Sequence, residues 1–364
     1  MLTEEQIKLL NAVSVEAASQ GLSLYLVGGI VRDIFLGHSL HDKDIDIIVD
    51  GSAIPFAKVL GRKLGAKVTE YTDFLTAKLS DLHDFRPEIE VDLASVRIET
   101  YDYPGALPRV TQAMSIMEDL KRRDFSVNAM ALPLNVIIEW AKSHDPKPSQ
   151  LEAPLIDLFS GLNDLRLGKV RVLHPQSFID DPTRIFRAAR YVARLPGSLE
   201  DDTQKLMQEA IRLGALDTVS AYRKLNELRK IIEEDDGFKS LQILGSMGVF
   251  QKFEIFNLEN QDNFTRGAER LCALRLKDDD LRYEALLGVC FATFNPERGR
   301  ERMKNFGLSK KKISRISSEV EVARASAHQS SDDLSDLALV LMYAIRDTDD
   351  LIKELRRKIS SRHL

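Results

Sequence analysis

The sequence predicts an α/β or α+β unit in the front part of the chain and a helical remainder. Up to about residue 134, short apolar strand-like runs alternate with helical stretches and turn residues. After about residue 160, apolar residues recur at spacings of three and four, with hardly any alternating run. The length of 364 residues, with 44% hydrophobic and 29% charged, suits an ordinary globular protein of two or three domains at roughly 150 residues each.

Taken in order, the first twenty residues carry Glu4, Glu5 and Glu16 on an amphipathic pattern and predict a helix. They have neither a basic start nor a continuous apolar stretch, and no later run reaches the roughly 18 apolar residues of a membrane span. A cytoplasmic protein is therefore expected. Strands are predicted at Leu24–Val27, Ile45–Val49, Ala66–Tyr71, Thr76–Leu79 and Ile89–Ser95, and helices at Asp180–Leu195, Asp201–Leu213, Ala221–Glu234, Leu241–Val249, Leu281–Phe294 and Leu334–Ile345. Soft boundaries fall at Ser143–Glu152, at Glu233–Asp236, and at Asn295-Pro296-Glu297, where the proline stops a helix. Cys272 and Cys290 sit in apolar helical text and read as buried free thiols of a reducing compartment. With 51 Lys and Arg against 56 Asp and Glu, the net charge is −5, so any nucleic-acid contact must be local.

Leu26-Val27-Gly28-Gly29-Ile30-Val31-Arg32-Asp33 runs an apolar strand into paired glycines and a helical start. Such glycines permit a tight turn and close approach of backbone N–H groups to an anion, although a plain strand–helix turn reads the same way. Asp44-Ile45-Asp46 follows inside an apolar run. In a strand, side chains two apart share a face, so Asp44 and Asp46 point together beside the glycine turn. Two such carboxylates repel unless protonated or metal-bound, and near a phosphate site the natural partner is Mg²⁺. Taken singly, Asp-x-Asp also describes a solvated strand edge; after the glycine motif the metal reading prevails. A two-metal phosphoryl-transfer site needs one more carboxylate from a neighbouring strand. Asp92 offers it, or is an exposed position on an alternating strand.

Lys121-Arg122-Arg123-Asp124-Phe125-Ser126-Val127-Asn128-Ala129-Met130-Ala131 sets three cations beside an apolar helix-like run. The cluster reads as a solvated helix end or, more sharply, as a triphosphate contact. Asp180-Asp181-Pro182-Thr183-Arg184 opens a helix, with Asp180 or Asp181 suited to its cap and Pro182 to its first turn. Asp181, Arg184 and Arg187, spaced by three, lie along one helix face, which also suits plain intrahelical ion pairs.

In this order, with Asp157-x-x-x-Gly161 between the last two, these motifs resemble the class II tRNA nucleotidyltransferases and bacterial poly(A) polymerases, over about residues 22–230. The resemblance implies an α+β nucleotidyltransferase head, a small mixed sheet with helices, followed by an all-α neck, body and tail. The corresponding regions are 1–145, 146–215, 216–294 and 295–364. It implies Asp44 and Asp46 as metal ligands and, with Asp92, as the catalytic carboxylates of a two-Mg²⁺ site. Nucleotide contacts are implied for Gly28, Gly29, Arg32, Arg122, Arg123, Asp124, Asn128, Asp181, Arg184 and Arg187. The family's base-selecting signature is Glu-Asp-x-x-Arg, and here Asp180 stands in place of the Glu. A fixed carboxylate beside a guanidinium matches the amine-and-ring-nitrogen edge shared by cytosine and adenine, and leaves unpaired groups against uracil and guanine.

The interval Ile98–Val110 reads as a mobile loop; Pro104-Gly105-Ala106-Leu107-Pro108 is similar to the branch that includes dedicated A-adding enzymes. The expected activity is template-independent addition of C and/or A to a tRNA 3′ end from CTP and ATP, releasing pyrophosphate. Rival readings are a poly(A) polymerase and a non-catalytic RNA-binding protein on the same scaffold. RNA contacts are expected from Arg223 and Lys224 with Arg229 and Lys230, from Lys310, Lys311 and Lys312 with Arg315, and from Lys353, Arg356, Arg357 and Lys358, each cluster being also a plain solvated helix face. No zinc-ligand spacing and no Ser-His or Cys-His nucleophile pattern stands out.

Overall fold

The computed structural model describes residues 2–40, 45–85, 89–195, 197–252, 256–276, 278–325 and 334–345. They divide into two compact units, Met1–Asp180 with Gly197–Thr203, and Asp181–Pro196 with Gln204–Leu364.

The first unit is built on strands β1 (Ser23–Val27), β2 (Ile45–Asp50), β3 (Lys67–Tyr71), β4 (Thr76–Ser80), β5 (Val91–Ser95), β6 (Arg97–Thr100), β7 (Arg109–Gln112), β8 (Met130–Pro133) and β9 (Ile156–Asp157). Seven of them form one mixed sheet in the order β3-β4-β5-β2-β1-β8-β9, in which only β2 and β5 run parallel. Strands β6 and β7 make a separate hairpin, and β10 (Lys169–Val170) pairs with β11 (Ser198–Leu199).

Alternation along β2 sets the layers. Ile45, Ile47 and Val49 are fully buried on one face, the side covered by helices Glu4–Ser19, Ala53–Leu64 and Leu134–Lys142. Thr3 starts the first of these helices with a capping box to Gln6. On the other face Val27, Ile48 and Ala131 pack with Val96, Ala113, Ile116 and Leu120, so the helix Ile116–Lys121 lies on the side where Asp46 points.

The text read as helical through Met130 and Ala131 is instead strand β8, paired with β1. A short apolar run buried on both faces carries no period by which to tell strand from helix. The interval Ile98–Val110 is not one loop, because its ends pair as β6 and β7. The helix expected over Asp180–Leu195 is two pieces, Ser177–Asp180 and Arg184–Arg194 with Thr183 as N-cap. Asp181 therefore stands before the helix and not on one face with Arg184 and Arg187; Pro182, which lacks an N–H, sits at the break.

Asp157 fastens the segment that follows it: its carboxylate accepts from the N–H groups of Gly161 (2.7 Å) and Leu162 (3.0 Å). A Cβ on Gly161 would lie 2.1 Å from the Ser126 carbonyl oxygen. Gly161→Ala is therefore expected to destabilise this unit by roughly 2–3 kcal/mol through overpacking. Thermal unfolding checks it, and an unchanged Tm would mean that the two backbones part without cost.

The second unit is helical. Helices Gln261–Leu274, Asp279–Ala292 and Lys310–Ala325 pack around Asp336–Ile345, in which every residue from Leu337 to Ala344 is buried. Phe256 and Phe264 stack at 4.1 Å, with Phe250 edge-on to both at 5.6 Å. Cys290 is buried and Cys272 partly so, both as free thiols. Burial pushes the Cys272 thiol up to about 12, which keeps it protonated and unreactive at neutral pH. No helix among the described residues is long and apolar enough to cross a membrane.

Candidate active site

The parallel pairing of β2 with β5 puts Asp46 directly in register with Asp92. Residues so paired share a face about 5 Å apart. Asp46 is exposed and the Asp92 side chain is 39% exposed, so both carboxylates are open to solvent. The β1–β2 register, Leu26 opposite Ile47, carries Asp46 to the end of β1, where Val27 runs into Gly28. Lys78, in register with Asp92 from β4, brings its ammonium within 3.8 Å of that carboxylate. Asp44 lies outside the described residues.

Among the described residues no group of three or more His, Cys, Asp and Glu side chains is gathered to hold a metal. The pair Asp46 and Asp92 is nevertheless a donor set that suits Mg²⁺. That ion takes hard oxygen ligands, uses one or two carboxylates, and fills its octahedron with water and substrate phosphates instead of an all-protein cage.

Gly28 has φ +70°, a conformation that favours glycine, and its N–H donates to the Met130 carbonyl. A Cβ there would lie 2.9 Å from Nη1 of Arg123, so the missing side chain lets that guanidinium rest on the turn. Arg122 and Arg123 both hold Asp119, which has no exposed side-chain surface. Arg122 Nη1 also donates to Glu99 at 2.7 Å. Burial alone would raise the Asp119 carboxyl, but the charges of Arg123 and Arg122 and their hydrogen bonds bring it below the usual carboxylate range. Arg97 joins the cluster, 3.6 Å from Glu99; burial and the neighbouring Arg122 charge lower its pKa.

Arg32, Asp124 and Asn128 brace this turn from inside. Arg32 is 2% exposed; it donates to Asp33 through Nε (3.0 Å) and Nη2 (2.8 Å), and to the Asn128 side chain through Nη1 (2.7 Å). Asn128 in turn donates to Asp124 (3.1 Å), which also accepts from the Phe125 N–H (2.8 Å). A buried network satisfied in this way locks the Gly28–Asp33 and Asp124–Asn128 segments to one another.

Within the second unit, Asp181 receives three hydrogen bonds on one oxygen, Oδ1. They come from the Thr183 N–H (3.2 Å), the Thr183 hydroxyl (2.7 Å) and Arg223 Nη2 (2.9 Å). Oδ2 makes none among the described residues, which leaves one anchored carboxylate with an acceptor to spare. Arg184 is buried at the start of its helix and Arg187 half-buried one turn on. Arg223, expected to touch RNA, is thus joined to Asp181. Asp180 belongs to the first unit, where its carbonyl accepts from the Gly105 N–H at 3.2 Å.

Of the other expected RNA contacts, Lys224 is buried (7% exposed). Lys312 lies over the Tyr283 ring and 3.8 Å from Glu284. Lys310 and Lys311 are exposed, and Lys310 lines a cleft of about 490 Å³ with Arg300 and Lys304. Lys353, Arg356, Arg357 and Lys358 lie outside the described residues. Sequence reasoning missed Lys78, Arg97, Glu99 and Asp119. Only Asp119 left a local signal, standing three and four residues before two arginines.

Residues 24–171 match the family of the poly A polymerase head domain. The chain is 39% identical over 231 residues to the A-adding tRNA nucleotidyltransferase of Aquifex aeolicus, covering 64% of this chain and 26% of that protein. It is 37% identical over 253 residues to the A-adding tRNA nucleotidyltransferase of Halalkalibacterium halodurans, covering 69% of this chain and 54% of that protein. The chain thus spans about a quarter to a half of the length of these curated relatives. Among solved structures, a tRNA nucleotidyltransferase complexed with a primer tRNA and an incoming ATP analog superposes with a TM-score of 0.68 at 27% identity, over 96% of this chain and 98% of that one. The apo form II of a CCA-adding enzyme gives 0.72 at 28% identity, over 99% and 84%.

Proposed function

We propose that this chain, whose residues 24–171 match the poly A polymerase head-domain family, adds C and/or A to the 3′ end of tRNA from CTP and ATP, without a template. The observation that carries the reading is the in-register pair Asp46 and Asp92 beside the Gly28 turn. The overall reaction joins the tRNA 3′ oxygen to the α-phosphorus of the nucleotide as the bond to pyrophosphate breaks. The regions 1–145, 146–215, 216–294 and 295–364 serve in this reading as head, neck, body and tail, in a cytoplasmic setting.

Asp46 and Asp92, with Asp44, would hold Mg²⁺, which when bound neutralises phosphate charge and makes the attacking hydroxyl more acidic. Arg122 and Arg123 offer guanidinium donors to a triphosphate, whose charge of about −4 exceeds what one divalent ion neutralises. Arg32, Asp124 and Asn128 act by holding the Gly28 turn open to the nucleotide. Asp181 Oδ2 accepts the exocyclic amine of cytosine or adenine, and Arg184 donates to the adjacent ring nitrogen. Uracil and guanine reverse that order and would leave buried polar groups unpaired, a discrimination of several kcal/mol. Lys310, which lines a cleft with Arg300 and Lys304, and the exposed Lys311 suit RNA phosphates.

Addition of A is the narrower reading. The relatives named for A addition share 37–39% identity with this chain, against 31% for a multifunctional CCA protein of Neisseria gonorrhoeae. Within the first unit, Gly105 of the β6–β7 loop donates to the Asp180 carbonyl, and the length of this loop is expected to bear on addition of the larger base. Incubation of the protein with tRNAs ending before CCA, after C and after CC, each with CTP, ATP or both, tests the proposal. Incorporation of a single A on the CC-ended tRNA alone is expected for an A-adding enzyme. A long A tail on any RNA marks a poly(A) polymerase, and no Mg²⁺-dependent incorporation marks a non-catalytic RNA-binding protein.

A further inference from the structure

The carboxylates that hold the arginine cluster touch no nucleotide in the reading above, yet their geometry is specific. Asp119 serves two guanidiniums with different oxygens: Oδ1 accepts from Arg122 Nε at 2.9 Å, and also from the Arg97 N–H at 3.4 Å, while Oδ2 accepts from Arg123 Nη2 at 3.0 Å. Glu99 takes the far side of Arg122. Arg123 is thereby held with Nη1 against Gly28.

Among the described residues the charge of this cluster does not close. Arg97, Arg122 and Arg123 contribute three positive charges, and Asp119 and Glu99 two negative ones. Arg97 and Arg123 each keep a buried Nε with no hydrogen-bond partner. A cluster serving only to hold the fold has little use for a surplus, largely buried cation, because desolvated charge is costly unless paired. The surplus is what an anionic ligand would complete.

Resting on the activity proposed above, we propose that Asp119, seconded by Glu99, is a positioning residue that aims Arg122 and Arg123 at the phosphates of the incoming nucleotide, with Arg97 as the third cation of that site. Long guanidinium side chains lose rotamer freedom on binding, and fixing them beforehand spares the nucleotide that cost. Asp119→Asn replaces one acceptor oxygen by an amide donor facing a guanidinium, and so releases one arginine.

The test uses the full chain and inorganic pyrophosphate, a probe with phosphates but no base or sugar. In the wild type, pyrophosphate should raise the thermal midpoint and inhibit nucleotide addition. Asp119→Asn should weaken that inhibition and raise the KM for ATP by about tenfold or more, the size of one lost charge-assisted hydrogen bond, with the preference for ATP over UTP unchanged. Glu99→Gln, at a partly exposed position, should show the same shift at smaller size and covers the case in which Asp119→Asn does not fold. Asp119→Glu, which keeps the charge, should recover part of the affinity. Unchanged pyrophosphate affinity in the folded variants, with only a lowered midpoint, would overturn the proposal. If the wild type incorporates no nucleotide, the activity reading fails, and loss of the pyrophosphate-induced midpoint shift in the variants still decides the role of Asp119.

Discussion

Asp46→Ala and Asp92→Ala are each expected to lower nucleotide transfer by about 1,000-fold or more, the scale on which removing a ligand of a charge-stabilising metal acts. The fold should survive both changes. Asp46 is exposed and Asp92 partly so, and taking away either one relieves the repulsion that their shared register imposes. Asp44→Ala should behave alike. Labelled ATP or CTP incorporation at saturating Mg²⁺, beside a thermal melt of each variant, makes the measurement. Turnover within tenfold of wild type in the Asp46 and Asp92 variants would remove this pair from the reaction.

Base choice should respond elsewhere. Asp181→Ala, or Arg184→Ala, is expected to lower the preference for ATP or CTP over UTP and GTP by about 100-fold, since the lost contact is to the base edge. Triphosphate affinity should change far less. The Asp181 carboxylate can do this because Thr183 and Arg223 anchor one of its oxygens while the other makes no bond among the described residues. Arg123→Ala should do the opposite, weakening every nucleotide alike. Competition assays with paired nucleotides read both quantities. A uniform loss of binding with the preference intact in the Asp181 and Arg184 variants would exclude them from base reading.

What the sequence determined by itself rests on local periods. The alternation in Ile45–Val49 and the spacing of two between Asp44 and Asp46 make a strand with carboxylates on one face. The paired glycines set the turn, and spacings of three and four set the helices of the back half. These patterns belong to the chain whatever it packs against. Tertiary structure alone decided that β5, and so Asp92, lies in register beside Asp46, because strand pairing is set by contacts distant in sequence. It decided that Met130–Pro133 is a buried strand, where apolar text carried no period. It also turned Arg32 inward to Asn128 and brought Arg223 to Asp181, 42 residues away. A charged residue reads as a surface group until its partner is known, since its burial depends on a counter-charge supplied by another part of the chain.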